Sequence, residues 1–170
     1  MKISQLPAPV LAGVVYGKNR PGAISAIKNC MFAGADIIDL HLECLDEQTE
    51  DAFREIISAA KLPVLALNYI SANCDQGWEE FEQQRIEGFL AALRAGAAGI
   101  DIQGYTFHRP SQNGFCGEDK YSFTKGNPKE VVTDEAVIAQ QCALIEKAHS
   151  MGAEVLLSCH PGIVMKTEQV

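Results

Sequence analysis

The chain has 170 residues, of which 47% are hydrophobic and 21% charged, with a formal net charge of −8 and a pI near 4.9. This length and composition predict one domain with its own hydrophobic core. The acidic balance argues against nucleic acid and anionic membrane surfaces, which select for clustered lysine and arginine. We therefore expect small molecules as partners, and we leave a homodimer open.

The six cysteines are scattered, without the C-x-x-C spacing of zinc or redox sites. We expect them to be reduced thiols in a cytosolic protein. The first residues lack the apolar segment of a secretion signal, and no apolar run approaches membrane-spanning length. These features predict a cytoplasmic protein, for which we assign no cofactor and no metal.

Apolar segments alternate with helical patterns along the chain. The predicted strands cover residues 10–16, 36–45, 63–69, 99–107 and 154–160. The predicted helices cover residues 21–33, 49–60, 78–95 and 133–151. Pro21 suits an early helical position, and Thr49 is a hydroxyl cap followed by two acidic residues, as the positive end of a helix dipole favours.

Glycine repeatedly ends a helix just before an apolar strand, at Gly34, Gly96 and Gly152. Such a βα repeat predicts a parallel sheet with right-handed crossovers. Two α/β architectures fit: part of a (β/α)8 barrel of the TIM-barrel type, or a five-stranded doubly wound sheet. No Gly-x-Gly-x-x-Gly or Walker loop follows the first strand, which disfavours the nucleotide-binding version.

Two strands carry candidate functional side chains. The last strand is a continuous apolar run, typical of burial on both faces, and it ends at His160, on the edge where parallel α/β folds gather catalytic groups. On the second strand the alternation places Asp39, His41 and Glu43 on one face. With His160 they could bind a divalent metal, although no ligand spacing singles out such a site.

One connection is far longer than the roughly two to six residues usual between a strand and a helix. It covers residues 108–132 and contains three aromatic side chains. We predict a lid or specificity loop, and a purely structural excursion is the alternative.

Four segments carry a resemblance to a known family. They are Ala-Asp-Ile-Ile-Asp-Leu-His at 35–41, Pro-Val-Leu at 63–65, Gly-Ile-Asp-Ile at 99–102 and Val-Leu-Leu-Ser-Cys-His at 155–160. With them the chain resembles the type I 3-dehydroquinate dehydratases, TIM-barrel lyases of the shikimate pathway. The resemblance implies dehydration of 3-dehydroquinate to 3-dehydroshikimate through a Schiff base with a sixth-strand lysine. It also implies that His160 is the general acid and base.

The resemblance further implies a pocket lined by Asp39, His41, Tyr69, Asn73 and Gln103. The family's strand-two Glu and Arg correspond to Asp39 and His41, its strand-three Arg to Tyr69, and the Glu four residues beyond to Asn73. Losing two guanidinium groups removes the bidentate recognition of anionic substrate groups.

The sequence supplies about five of the eight barrel strands and no residue that matches the imine-forming lysine. We expect either a fragment of a longer protein or a divergent relative. Two alternative functions stay open. One is an aldolase-like or metal-assisted barrel enzyme acting on another small hydroxy or keto acid, and the other is a non-catalytic protein that binds a small molecule.

Overall fold

The computed structural model describes residues 2–69, 77–104, 106–108, 132 and 134–158. These residues form strands and α-helices in strict alternation. The strands are β1 (Ala12–Val15), β2 (Ile37–His41), β3 (Val64–Leu67), β4 (Gly99–Gln103) and β5 (Glu154–Ser158). The helices are α1 (Arg20–Phe32), α2 (Glu50–Ser58), α3 (Trp78–Arg94) and α4 (Glu135–Ser150). Single turns of 3₁₀ helix lie at Ile3–Gln5 and Leu42–Cys44. Among the described helices, none has the length and apolar character needed to cross a bilayer.

The five strands are all parallel and lie in the order β1-β2-β3-β4-β5. A doubly wound sheet has an interior first strand, because its strand order reverses part-way across the sheet. Consecutive order is that of a barrel wall. The prediction of an α/β fold of the barrel type, with about five βα units, is therefore confirmed.

The helices begin and end largely where the local sequence predicts. Thr49 Oγ1 accepts the backbone N–H of Ala52 at 3.3 Å, which confirms the predicted cap of α2. The three glycines at the helix ends have φ angles of 88°, 106° and 82°, a region that residues with a Cβ rarely adopt. Helix α4 begins later than predicted, because the Asp134 carboxylate accepts the N–H of Ala136 at 2.8 Å and caps the helix there.

The core lies between the sheet and its helices. In β2 the side chains of Ile38 and Leu40 are fully buried in it, together with Phe53 of α2 and Phe89 of α3. The opposite face of the sheet carries Asp39, as strand alternation requires. Cys30, Cys44 and Cys142 are free thiols, in agreement with the prediction for the described cysteines.

Two predicted strands are too long. The second ends at His41, because the chain turns into a 3₁₀ helix closed by the N–H of Leu45 on the carbonyl of Leu42 at 3.0 Å. Glu43 therefore does not share a strand face with Asp39 and His41. The fourth strand ends at Gln103, whose carbonyl accepts the N–H of Thr106 at 2.9 Å in a turn.

The expectation that the last strand is buried on both faces is wrong for its described part. Leu156 is 49% exposed and Leu157 is 61% exposed. The reason is position: among the described residues, β5 pairs on one side only, with β4, so it is an edge strand. An apolar run alone does not distinguish an edge strand of a parallel sheet from a central one.

Candidate functional site

The carboxyl edge of the sheet brings several predicted site residues together. His41 ends β2, Tyr69 follows β3, Gln103 ends β4, and Tyr16, which the sequence did not single out, follows β1. The His41 ring centroid lies 4.1 Å from that of Tyr16 and 5.5 Å from that of Tyr69. The imidazole is thus held between two phenol rings.

Glu43 fixes the orientation of His41. Its Oε1 lies 2.6 Å from Nδ1 of the imidazole. His41 is buried, with only 3% of its surface exposed. The carboxylate accepts the Nδ1 proton, so in the neutral ring Nε2 carries the lone pair. Nε2 lies 4.0 Å from Oδ2 of Asp39. The other Glu43 oxygen accepts the backbone N–H of Tyr69 at 3.3 Å, which ties the ends of β2 and β3 together.

The two tyrosines stay protonated at neutral pH. Burial raises the pKa of Tyr69 to about 12, and the negative charges of Asp101, Asp39 and Glu43 add to the shift. Burial, followed by the charge of Asp39, also raises the pKa of Tyr16. Both phenols therefore remain hydrogen-bond donors, near the carboxylates of Asp39, Glu43 and Asp101.

Cys44 lies beside this pair. Its Sγ is 4.0 Å from Glu43 Oε1, and burial together with the Glu43 charge raises the pKa of the thiol. One ligand atom from each of His41, Glu43 and Cys44 can be chosen so that all three lie within 4.8 Å of one another. Imidazole nitrogen, carboxylate oxygen and cysteine sulfur form a donor set suited to a borderline divalent ion.

A buried ion pair on α3 supports the neighbouring strand ends. Arg85 is 3% exposed and donates to both carboxylate oxygens of Glu82, at 2.7 and 2.8 Å. Its Nη1 donates to the carbonyl of Asn68 at 2.8 Å and to Oε1 of Gln103 at 2.9 Å. Its Nη2 also donates to Oγ1 of Thr106 at 3.0 Å. All five guanidinium N–H groups have acceptors.

This network decides which end of the Gln103 amide is available. Because Oε1 accepts from Arg85, Nε2 is the free end, and this buried nitrogen has no acceptor among the described residues. Gln103 is itself fully buried. A buried amide donor of this kind requires an acceptor, which a bound water or a ligand oxygen that reaches it would supply.

Arg85 and Glu82 are not among the predicted site residues, although the sequence contains a signal for them. Both lie between Trp78 and Phe89 at the helical spacing of the buried face. An acid and a base three residues apart on that face can neutralise each other. The charged residues of α3 therefore do not all face solvent.

Side chains of two helices form hydrogen bonds with the backbone of the segment that follows β4. Glu82 Oε1 accepts the backbone N–H of Phe107 at 2.8 Å. Gln141 of α4 donates from Nε2 to the carbonyls of Gly104 and Thr106, each at 2.8 Å. The start of the predicted loop is thus fixed in position by side chains of α3 and α4.

Two predicted site residues, His160 and Asn73, lie outside the described residues, as do positions 109–131 of the 108–132 loop. Their roles stay predictions. Beside the described site, a cavity of about 680 Å³ is lined by residues that include Glu43, Tyr69 and Arg94. Its volume is within the range usual for small-molecule sites.

Comparisons with known proteins give one similar sequence and several similar structures. No protein-family profile matches the chain. A 3-dehydroquinate dehydratase from Methanobrevibacter smithii is 26% identical over 76 residues, which are 45% of this chain and 34% of the dehydratase. The match therefore spans about a third of that relative's length.

Two solved structures illustrate the structural similarity. A 3-keto-D-glucoside 4-epimerase from E. coli is 14% identical, with a TM-score of 0.49, over 86% of this chain and 55% of the epimerase. An uncharacterized conserved protein from Geobacillus kaustophilus is 11% identical, with a TM-score of 0.44, over 88% of this chain and 65% of its own. The chain is thus similar to a dehydratase over part of its length, and the order of its own strands defines its fold.

Proposed function

We propose that the chain belongs to a barrel-type enzyme that removes water from a small hydroxy-keto acid, in the manner of 3-dehydroquinate dehydratase. The observation that carries the proposal is the 76-residue similarity to such a dehydratase. Its support from the structure is a parallel sheet in barrel order with polar side chains at its carboxyl edge. Active sites of barrel enzymes lie at this edge.

His160 is the proposed general acid and base. An imidazole titrates near neutral pH, so it can both take a proton and return it. Strand β5 runs toward the carboxyl edge, and Ser158 pairs in register with Gln103. We propose that His160, two residues beyond Ser158, acts on the substrate at this edge.

The described side chains are proposed to orient the substrate. The phenols of Tyr16 and Tyr69 and the amide nitrogen of Gln103 are neutral donors, which suit the hydroxyl and carbonyl oxygens of a polyhydroxylated acid. Asp39 and His41 can accept from substrate hydroxyl groups. In the same proposal Asn73 contributes to this pocket.

The test is conversion of 3-dehydroquinate, followed by the enone absorbance of 3-dehydroshikimate. We expect turnover by the protein extended through the sixth strand that the resemblance implies, and a decrease of about 10²–10⁴-fold in its His160→Ala variant, the usual contribution of general acid–base catalysis. His149→Ala is the matched control, because His149 is exposed in the last turn of α4. It should leave turnover unchanged.

Borohydride reduction in the presence of 3-dehydroquinate tests the imine step independently. A covalent adduct on a lysine, located by peptide mass mapping, would support Schiff-base chemistry. The absence of both enone and adduct from the folded, extended protein would contradict the proposal. Binding of 3-dehydroquinate without turnover would instead favour a non-catalytic binding protein.

A further inference from the structure

We propose that His41, Glu43 and Cys44 form a binding site for one borderline divalent metal ion, such as Zn²⁺, at the carboxyl end of β2. The three residues supply one nitrogen, one oxygen and one sulfur donor. Zn²⁺ and Co²⁺ accept this mixture of ligands, whereas Mg²⁺ and Ca²⁺ select oxygen. Three protein ligands leave a coordination position for water or a substrate oxygen.

The distances fit a site that needs only small side-chain adjustments. His41 Nδ1 lies 2.6 Å from Glu43 Oε1, and that oxygen lies 4.0 Å from Cys44 Sγ. Two ligands that are each about 2.0–2.3 Å from one zinc ion lie roughly 3–4 Å apart. The first distance must lengthen by roughly 0.5–1 Å as the ion replaces the shared proton. The second is already suitable, and the three ligand atoms all lie within 4.8 Å of one another.

The backbone holds these donors in place without the ion. His41 is the last residue of β2, and its backbone neighbour in register is Leu67 of β3. Glu43 and Cys44 lie in the 3₁₀ turn that Leu45 closes on Leu42. The ligands therefore come from a rigid strand end and its turn, and not from a long loop.

The surroundings resemble the outer shell of a metal-bound histidine. With Nδ1 on the ion, Nε2 carries the proton and faces Asp39 Oδ2 at 4.0 Å. Metal-bound histidines usually direct their second N–H at a carboxylate or carbonyl, which orients the ring and makes it a stronger ligand. The rings of Tyr16 and Tyr69 restrict the imidazole further.

A bound cation would offset the negative charge around His41. Within the described part of the chain, neither His41 nor Glu43 contacts an arginine or lysine. The nearby Arg85 has all its N–H groups engaged, and its charge is paired with Glu82. An anionic substrate would meet the negative charges of Asp39 and Glu43, and a bound cation would reverse the local sign. This role rests on the proposed function, whereas binding of the ion does not.

Cobalt titration of chelator-treated protein tests the site directly. We expect one equivalent of Co²⁺ to produce a near-ultraviolet thiolate-to-cobalt charge-transfer band, and Zn²⁺ to displace it. Cys44→Ser should abolish the band. Cys142→Ser is the matched control, because this cysteine is exposed on α4 and should leave the band unchanged.

The remaining variants separate ligands from their support. Glu43→Gln, an isosteric change, should weaken Zn²⁺ binding more than Asp39→Asn, for which we expect the roughly 10–100-fold loss usual for outer-shell partners. Glu47→Gln, an exposed carboxylate that pairs with Arg20, should change nothing. Thermal melts of the metal-free variants verify that each is folded.

Absence of the cobalt band from the folded protein, or a band that survives Cys44→Ser, would overturn the proposal. Failure of the metal site and failure of the proposed function have different signatures. Enone formation by protein that binds no Co²⁺ or Zn²⁺ would overturn the metal site alone. A confirmed metal site in a protein that does not convert 3-dehydroquinate would uphold the site and reject the dehydratase activity.

Discussion

Glu43 lies outside the strand that presents His41, yet it determines the orientation of the imidazole. One of its oxygens binds Nδ1 and the other accepts the backbone N–H of Tyr69. A single carboxylate thus links the carboxyl ends of two strands. The alternation of polar residues predicted that Glu43 lies near His41 on one face of a strand. Glu43 does lie near His41, but its side chain reaches the imidazole from a 3₁₀ turn.

The pH dependence of stability should report on Tyr69. Its pKa rises from 10.0 to about 12 in the folded protein, so the folded state binds more protons than the unfolded state between these values. The resulting stability is present below pH 10 and is lost as the pH rises through about 12. Tyr69→Phe should make the alkaline decrease of the unfolding free energy shallower, as measured by urea denaturation.

Tyr16→Phe is the comparison for this experiment. Tyr16 is 68% exposed, so it should affect the alkaline decrease less. A difference spectrum between the unmodified protein and Tyr69→Phe should place the phenolate transition of Tyr69 near pH 12. A transition at the ordinary value of 10, with an unchanged stability slope, would show that burial and the nearby carboxylates do not act on this phenol.

At the scale of elements, helix α3 buries an ion pair beside the ends of β3 and β4. Removing one partner leaves an uncompensated buried charge, which typically costs about 3–5 kcal/mol of unfolding free energy. We therefore expect Glu82→Gln to destabilise the protein by about that amount. Replacing both residues, in Glu82→Gln/Arg85→Met, should cost less than the sum of the single changes, as measured by a double-mutant cycle in urea.

The exposed pair of Arg54 and Glu50 on α2 is the control. Exposed pairs of this spacing contribute about 0.3–0.5 kcal/mol, so Arg54→Ala should have a small effect. Additive effects of the two α3 substitutions would contradict the buried network. The same cycle also tests the support of Gln103, because the Arg85 guanidinium donates to its amide oxygen.

Much of each element could be predicted locally. Glycines with positive φ end three helices, and Thr49 begins one, because these requirements depend on a few neighbouring residues. The burial of Glu82 and Arg85 could not be predicted in the same way. Their charges indicate solvent. Burial is possible because the Asn68 carbonyl, the Gln103 amide and the Thr106 hydroxyl, from other parts of the chain, accept the Arg85 N–H groups that Glu82 does not.

At the scale of the whole molecule, the order of the strands determines where the candidate site lies. The βα repeat predicted a parallel sheet but allowed two strand orders. The register of β1 through β5 selects consecutive order, since each strand pairs with its neighbour in sequence. The spacing of strands along the chain does not determine the strand order, because the order depends on which strand edges pair in the folded sheet. The same order collects Tyr16, His41, Tyr69 and Gln103 at one edge.

The candidate site was only partly predictable. His41 could be named from the polar alternation of the second predicted strand, and Tyr69, at the end of the third, from the resemblance. Cys44 lies close to Glu43 because both are in the 3₁₀ turn. The alternating pattern predicted a strand over these residues and so gave no indication of the turn. The role of His160 rests on the resemblance and stays a prediction.

Amide chemical shifts test most directly whether ligands bind at the carboxyl edge of the sheet. Titration of ¹⁵N-labelled protein with 3-dehydroquinate should shift the amide signals of Tyr16, His41, Tyr69 and Gln103. The amino edge has its own cavity of about 510 Å³, lined by residues that include Lys61, Ala98 and Gly152. Shifts confined to residues of that cavity, with the carboxyl-edge signals unchanged, would contradict binding at the carboxyl edge.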